Sequence, residues 1–216
     1  MAKLNRPLIP TGNLRLSYVS IATDTLLHRV HHSDFGATQF NDTSRGDARF
    51  SPITDATGTI IPTLYAGETF ECAAMETVFH EVPFEPGLKT QQQSLMEGNL
   101  YSQVRACSAL RLVDLSSKAL RQLGVQRRHL IDTDSEDYPY TRQWAQIIHA
   151  QAPDVQGLQW ISRQDDRAFA VVLFGDRIDP AALALHEDGR SLLADPRTFA
   201  AIIDLAMKIG VELLPF

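Results

Sequence analysis

Apolar residues occur along this chain in short runs that are bounded by glycine, proline or polar residues. Runs of this kind, rich in branched and aromatic side chains, predict β-strands. The predicted strands span residues 26–30, 59–65, 100–107, 110–115, 157–162, 169–174 and 210–214. Only a short charged segment separates residues 157–162 from 169–174, so these two strands are predicted to form a β-hairpin.

Elsewhere the apolar residues are three and four positions apart, which predicts helices at 68–81, 116–123, 140–150 and 196–209. Thr69 stands at the start of the first of these and is its predicted N-cap. The polar segments 33–47 and 89–99 are predicted to be loops. Because the elements mix without a regular βαβ rhythm, we expect a single α+β domain over residues 1–216.

Composition and charge restrict the class of function. The 216 residues include 20 Lys and Arg against 26 Asp and Glu, and the formal net charge of −6 argues against direct nucleic-acid binding. The apolar runs fall short of the roughly 20 residues of a membrane span, and no signal-peptide pattern is found. Cys72 and Cys107 lie in apolar segments and are predicted to be buried free thiols. We therefore expect a cytoplasmic protein without a membrane partner.

The metal-binding patterns in the sequence are incomplete. Asp132, Asp134 and Glu136 resemble the start of a calcium-binding loop, but Asp137 and Gln143 stand where that loop requires glycine and glutamate. The histidines near the first predicted strand have no matched cysteine or acidic partner. We therefore expect no bound metal.

Glu76 is the first candidate for a catalytic residue. The small residues Cys72 and Ala73 lie about one helical turn before it, so a ligand could approach closely. A carboxylate here could bind a ribose hydroxyl, or stabilise positive charge on a sugar whose glycosidic bond is breaking. The alternative is an ordinary solvent-exposed glutamate on a helix.

Two arginines are candidates for binding an anion. Arg49 follows a polar loop and precedes Phe50, and a guanidinium can bind phosphate through two hydrogen bonds. A surface salt bridge is the alternative interpretation. Arg29 lies in an apolar strand, where an unpaired charge is costly. It therefore requires either an acidic partner or an anionic ligand.

Tyr65 and Ser162 are the remaining candidates, and both lie at the ends of predicted strands. The Tyr65 ring could stack on a planar base, or it could pack in the core. Ser162 has no adjacent histidine or lysine to activate it, so it is not predicted to be a nucleophile. Its hydroxyl could bond to phosphate or to Glu76, or it could only form a turn.

Taken in order, these segments resemble the RES domain family, which is named for its Arg, Glu and Ser. The matching segments are Leu-His-Arg-Val at 27–30, Ala-Arg-Phe-Ser-Pro at 48–52, Leu-Tyr-Ala at 64–66, Ala-Ala-Met-Glu at 73–76, Gly-Leu-Gln-Trp-Ile-Ser-Arg at 157–163 and Val-Val-Leu-Phe at 171–174. The chain departs from the family pattern at Ala48, where glycine is usual, and at Phe50, where tryptophan is commoner. Residues 160–162 are Trp-Ile-Ser, where some members of the family have Pro-Ser.

The resemblance implies a fold similar to that of diphtheria-toxin-type ADP-ribosyltransferases, with mixed and antiparallel β-sheets and flanking helices. Residues 26–177 would form this core, followed by a helical and strand extension at 178–216. The implied catalytic residues are Glu76, Arg49 and Ser162, and the implied NAD-binding residues are Arg29, Arg49, Tyr65 and Ser162.

The same resemblance implies the toxin of a toxin–antitoxin pair, with an Xre-like antitoxin as its partner. Such a toxin cleaves the nicotinamide–ribose bond of its co-substrate NAD, without a metal, and transfers ADP-ribose to a protein target, water or phosphate. The alternative is an interaction module that binds NAD but has no catalytic activity.

Overall fold

The computed structural model describes residues 8–9 and 11–215. Within these residues the α-helices are α1 (Phe70–Met75), α2 (Ser117–Leu123), α3 (Arg127–Leu130), α4 (Tyr138–Gln151) and α5 (Pro196–Lys208). The strands are β1 (Tyr18–Ile21), β2 (Leu26–His32), β3 (Ile53–Thr54), β4 (Ile60–Ile61), β5 (Thr63–Gly67), β6 (Lys89–Gln92), β7 (Asn99–Ala106), β8 (Leu110–Asp114), β9 (Gly157–Ile161), β10 (Phe169–Phe174), β11 (Leu183–Ser191) and β12 (Val211–Leu214).

Eight of these strands form one mixed sheet in the order β1-β8-β9-β10-β5-β2-β7-β11. Neighbouring strands are antiparallel except β8 and β9, which are parallel. Two small sheets pair β12 with β6 and β3 with β4. The chain is therefore a single α+β domain, as the sequence predicts.

Strand β10 lies near the centre of the large sheet and has hydrophobic clusters on both of its faces. Val172 and Phe174 belong to the cluster that also contains Trp144 of α4. Val171 and Leu173 belong to a cluster on the opposite face. Because both faces are buried, the strand has a continuous apolar run instead of an alternating pattern. Its antiparallel pairing with β9 confirms the predicted hairpin.

The segment 89–99 differs from the sequence prediction, because it is not a simple surface loop. Residues Lys89–Gln92 form β6, which pairs in parallel with β12 near the end of the described chain. The Gln91 side chain is buried, and its Nε2 donates to the Val78 carbonyl at 2.6 Å. Backbone pairing with a distant strand stabilises this segment although its side chains are polar.

The sequence does not predict the two edge strands of the large sheet, and its prediction for one cysteine is wrong. Strands β1 and β11 occupy the two edges of the large sheet, where partly exposed positions weaken the hydrophobic pattern. Cys72 is buried, but Cys107 is exposed, so the prediction of two buried thiols is wrong for Cys107. Although β11 joins the main sheet through β7, the division into a core at 26–177 and an extension at 178–216 stays a prediction.

Helix α1 is shorter than the predicted helix at 68–81. The predicted N-cap is confirmed, because the Thr69 Oγ1 accepts a hydrogen bond from the Cys72 amide at 3.0 Å. The regular helix ends at Met75, and Glu76 is its C-cap. Beyond it the chain turns, since the amides of Val78 and Phe79 both bond to one carbonyl of the helix. Glu76 therefore lies at the end of α1, where it can face other elements.

Candidate active site

A cavity of about 390 Å³ opens beside the end of α1. Strands β2, β5, β9 and β10, the loop before β3, the turn after α1 and the start of α4 all contribute to its wall. The residues that line it are His28, Val30, Asp47, Ala48, Arg49, Tyr65, Ala66, Gly67, Ala73, Glu76, Thr77, His80, Glu81, Tyr138, Trp160 and Ala170. Three of the five candidate NAD-binding and catalytic residues, Arg49, Tyr65 and Glu76, line this cavity, whereas Arg29 and Ser162 do not.

Glu76 is held by two groups that are distant in sequence. The Ser162 hydroxyl donates to Glu76 Oε1 at 2.6 Å. Arg49 Nη1 lies 3.9 Å from the other carboxylate oxygen, Oε2. The Glu76 side chain is 17% exposed, so the carboxylate is fixed but still reaches the cavity. The interpretation of Glu76 as a freely solvated helical residue is therefore wrong.

Arg49 is almost completely buried, with 3% of its side chain exposed. Its Nε donates to Thr133 Oγ1 at 3.3 Å, and its guanidinium carbon lies 5.7 Å from the centre of the Tyr138 ring. Its Nη2 has no hydrogen-bond partner. A buried guanidinium beside a cavity is suited to an anionic ligand. A surface salt bridge does not describe this residue.

The loop that carries Arg49 is fixed by helix α4. Thr141 Oγ1 donates to the Arg49 carbonyl, and Arg142 Nε donates to the Ala48 carbonyl at 3.1 Å. Arg142 also forms an ion pair with Asp47. These contacts hold the backbone on both sides of Arg49, so the guanidinium is positioned before any ligand binds.

Tyr65 contributes its ring to the cavity wall and its hydroxyl to the same loop. The hydroxyl oxygen accepts a hydrogen bond from the Phe50 amide at 3.0 Å. The ring lies edge-to-face against Trp160, with 6.2 Å between their centres. Burial raises the pKa of Tyr65 to about 12, so the phenol stays neutral over the physiological pH range. The Tyr65 side chain thus packs against the core and also lines the cavity.

Replacing Tyr65 with phenylalanine is expected to lower the free energy of unfolding by about 1–3 kcal/mol, because the Phe50 amide loses its acceptor. Chemical denaturation of both proteins measures this difference. The matched control is Tyr18→Phe on edge strand β1, where the ring is 45% exposed, and its effect should stay within about 0.5 kcal/mol. Equal stability of Tyr65→Phe and the wild type would contradict the role given to this hydroxyl.

Ser162 lies behind Glu76 instead of on the cavity wall. The residue is completely buried, and its oxygen accepts the amides of Gln164 and Asp165, each at 3.0 Å, while the hydroxyl donates to Glu76. The sequence leaves two functional roles for this hydroxyl, a bond to phosphate or a bond to Glu76, and the structure shows the bond to Glu76. Ser162 therefore acts as a positioning residue for the carboxylate.

Arg29 lies on the opposite face of β2 from the cavity. Its strand neighbours His28 and Val30 line the cavity, and successive strand residues point to opposite faces. The Arg29 Nη1 donates to the carbonyls of Gly36, Ala37 and Gln39 at 3.0, 2.6 and 3.0 Å. Burial lowers its pKa to about 10. The structure thus does not bring Arg29 to the other candidates, and backbone carbonyls replace the acidic partner or ligand expected from sequence.

Several cavity residues were not found by sequence reasoning. Tyr138, His80 and Trp160 all line the cavity, and the Trp160 Nε1 has no hydrogen-bond partner. Tyr138 lies in a segment that reads only as acidic and irregular. The sequence signals for the other two are that His80 follows Glu76 by four residues and that Trp160 lies in the matching segment 157–163.

The charge of the wall is mixed. Glu76, Glu81 and Asp47 contribute carboxylates, and Arg49 contributes the cation. Among the described residues, no group of three or more His, Cys, Asp and Glu side chains is arranged to hold a metal ion. In the same part of the chain, no helix has the length and apolar character needed to cross a membrane.

Comparison with known proteins shows the family of the chain. The family model of the RES domain matches residues 26–195, and a search of curated proteins finds no match. The chain belongs to the RES domain family. This family is associated with NAD-processing enzymes, and its members are typically paired with an antitoxin.

Proposed function

We propose that this protein is the toxin of a toxin–antitoxin pair that cleaves the nicotinamide–ribose bond of NAD and transfers ADP-ribose to a protein target, water or phosphate. The observation that supports it most directly is the contact of Glu76 with Arg49 and Ser162 at the cavity, since these residues are far apart in sequence. The proposal includes an Xre-like antitoxin as the partner and the cytoplasm as the location.

The proposed chemistry depends on how charge changes during the reaction. The nicotinamide of NAD is cationic and leaves as a neutral molecule, so positive charge moves to the ribose in the transition state. A fixed carboxylate stabilises this developing charge more than it stabilises the bound substrate. Because Ser162 and Arg49 already hold Glu76 in place, little reorganisation is needed when the bond breaks.

Arg49 is proposed to bind the diphosphate of NAD. The near-complete burial of its side chain beside the cavity supports this role, because a buried cation is stabilised by an anionic partner. Among the described residues that line the cavity, Arg49 is the single arginine. Arg29 supports the fold of the loop at 36–39 instead. The rings of Tyr65 and Trp160 are proposed to form an apolar wall for a planar base.

Incubation of the purified protein with NAD tests this proposal. We expect release of nicotinamide, measured by chromatography, together with ADP-ribose that is free, phosphorylated or attached to protein, identified by mass spectrometry. Tight NAD binding without nicotinamide release would instead support the inactive interaction module. Absence of both binding and cleavage would contradict an NAD site in this cavity.

A further inference from the structure

A second hydrogen-bonded group of side chains lies on the same cavity wall. The Tyr138 hydroxyl lies 3.2 Å from His80 Nε2, and His80 Nδ1 lies 2.6 Å from Glu81 Oε1. The His80 carbonyl accepts a hydrogen bond from Gln164 Nε2 at 2.9 Å, which fixes this turn. Tyr138 and His80 are largely buried, whereas Glu81 is 87% exposed. The group therefore connects the cavity to solvent.

The partners of His80 determine the direction of these hydrogen bonds. A Glu81 carboxylate can only accept, so in the neutral imidazole His80 Nδ1 carries the proton and Nε2 is the acceptor. The Tyr138 hydroxyl then donates to Nε2. Burial raises the pKa of Tyr138, so its phenol carries the proton that this bond requires. A hydroxyl, an imidazole and a carboxylate in this order form the arrangement of an activated nucleophile or proton relay.

The reaction proposed above requires one proton transfer that Glu76 is poorly placed to carry out. Nicotinamide leaves as a neutral molecule and takes the bonding electron pair with it, so the leaving group needs no proton. A water or hydroxyl acceptor, however, must lose a proton as it bonds to the ribose. Both oxygens of Glu76 are already engaged, since Oε1 accepts from Ser162 and Oε2 faces Arg49, so neither is free to take the acceptor proton.

We propose that Tyr138, His80 and Glu81 form a proton relay that deprotonates the acceptor, an inference that rests on the proposed function. The acceptor oxygen bonds to the anomeric carbon while the carbon–nitrogen bond to nicotinamide breaks. The acceptor proton passes to the Tyr138 oxygen as the Tyr138 proton passes to His80 Nε2. The resulting imidazolium is stabilised by Glu81 and returns its proton to solvent at the exposed end.

Two variants and a proton-free acceptor test the relay. Tyr138→Phe and His80→Gln should each lower nicotinamide release in water by about 100-fold, a size typical of general base catalysis. Azide is an anion without a proton to lose, so its addition should restore release at least about tenfold in both variants, with a glycosyl azide as product, and change the wild-type rate by less than about twofold. Tyr18→Phe and His186→Gln, both outside the cavity wall, should match the wild type throughout.

The outcomes separate this inference from the proposed function. If the wild type releases nicotinamide and both relay variants do so at the same rate, the relay is wrong and the proposed function stands. A loss in both variants that azide does not restore also overturns the relay, because it indicates a structural role. If the wild type releases no nicotinamide, the proposed function fails and the relay fails with it.

Discussion

Replacement of Glu76 with glutamine is expected to lower the rate of nicotinamide release from NAD by about 100- to 1,000-fold, as the loss of one fixed electrostatic group typically does. The glutamine carbonyl can still accept from Ser162, so the fold should be kept. In the proposed reaction, this variant loses the negative charge that faces the ribose in the transition state. The effect should therefore fall on kcat more than on KM, measured by steady-state kinetics of nicotinamide release.

The matched control for this variant is Glu71→Gln on the same helix. Glu71 is 48% exposed, lies 4.0 Å from Lys208 and does not line the cavity. The Glu71→Gln variant also loses one carboxylate but keeps every residue of the cavity wall. Its kinetics should therefore equal those of the wild type. A Glu76→Gln protein that keeps wild-type kcat would remove the carboxylate from the mechanism.

Replacement of Arg49 with lysine is expected to raise KM for NAD by about 10- to 100-fold, the loss of a charge-assisted hydrogen bond of about 1.5–3 kcal/mol. Lysine keeps the charge but not the planar fork that reaches Thr133, Glu76 and the ligand together. Titration of NAD followed by calorimetry measures the affinity separately from turnover.

Arg105→Lys is the matched control for this second variant. Arg105 is exposed on β7 and does not line the cavity, so its change to lysine should leave NAD affinity unaltered. Equal affinities of the wild type and Arg49→Lys for NAD would show that the diphosphate binds elsewhere. A loss of affinity in both variants would indicate a general effect of replacing arginine with lysine instead of the loss of one contact made by Arg49.

How much of the site could be predicted differs from residue to residue. The chemistry of their side chains and the residues next to them in sequence predict Arg49, Tyr65 and Glu76 as site residues, and the structure brings all three to one cavity. Arg29 was predicted in the same way but faces the other side of β2. Local sequence gives the alternation along a strand, but it does not say which of the two faces borders the cavity.

Local spacing and hydrophobic runs determined the buried elements of this protein, such as β10 and the Thr69-capped start of α1, because burial and capping leave their pattern on neighbouring residues. Tertiary structure alone decided that Ser162 reaches Glu76 across 86 positions, that β6 pairs with β12 and that Tyr138 meets His80. Each of these contacts joins segments that are distant along the chain. Its formation depends on how the whole sheet and its helices pack, which no short stretch of sequence encodes.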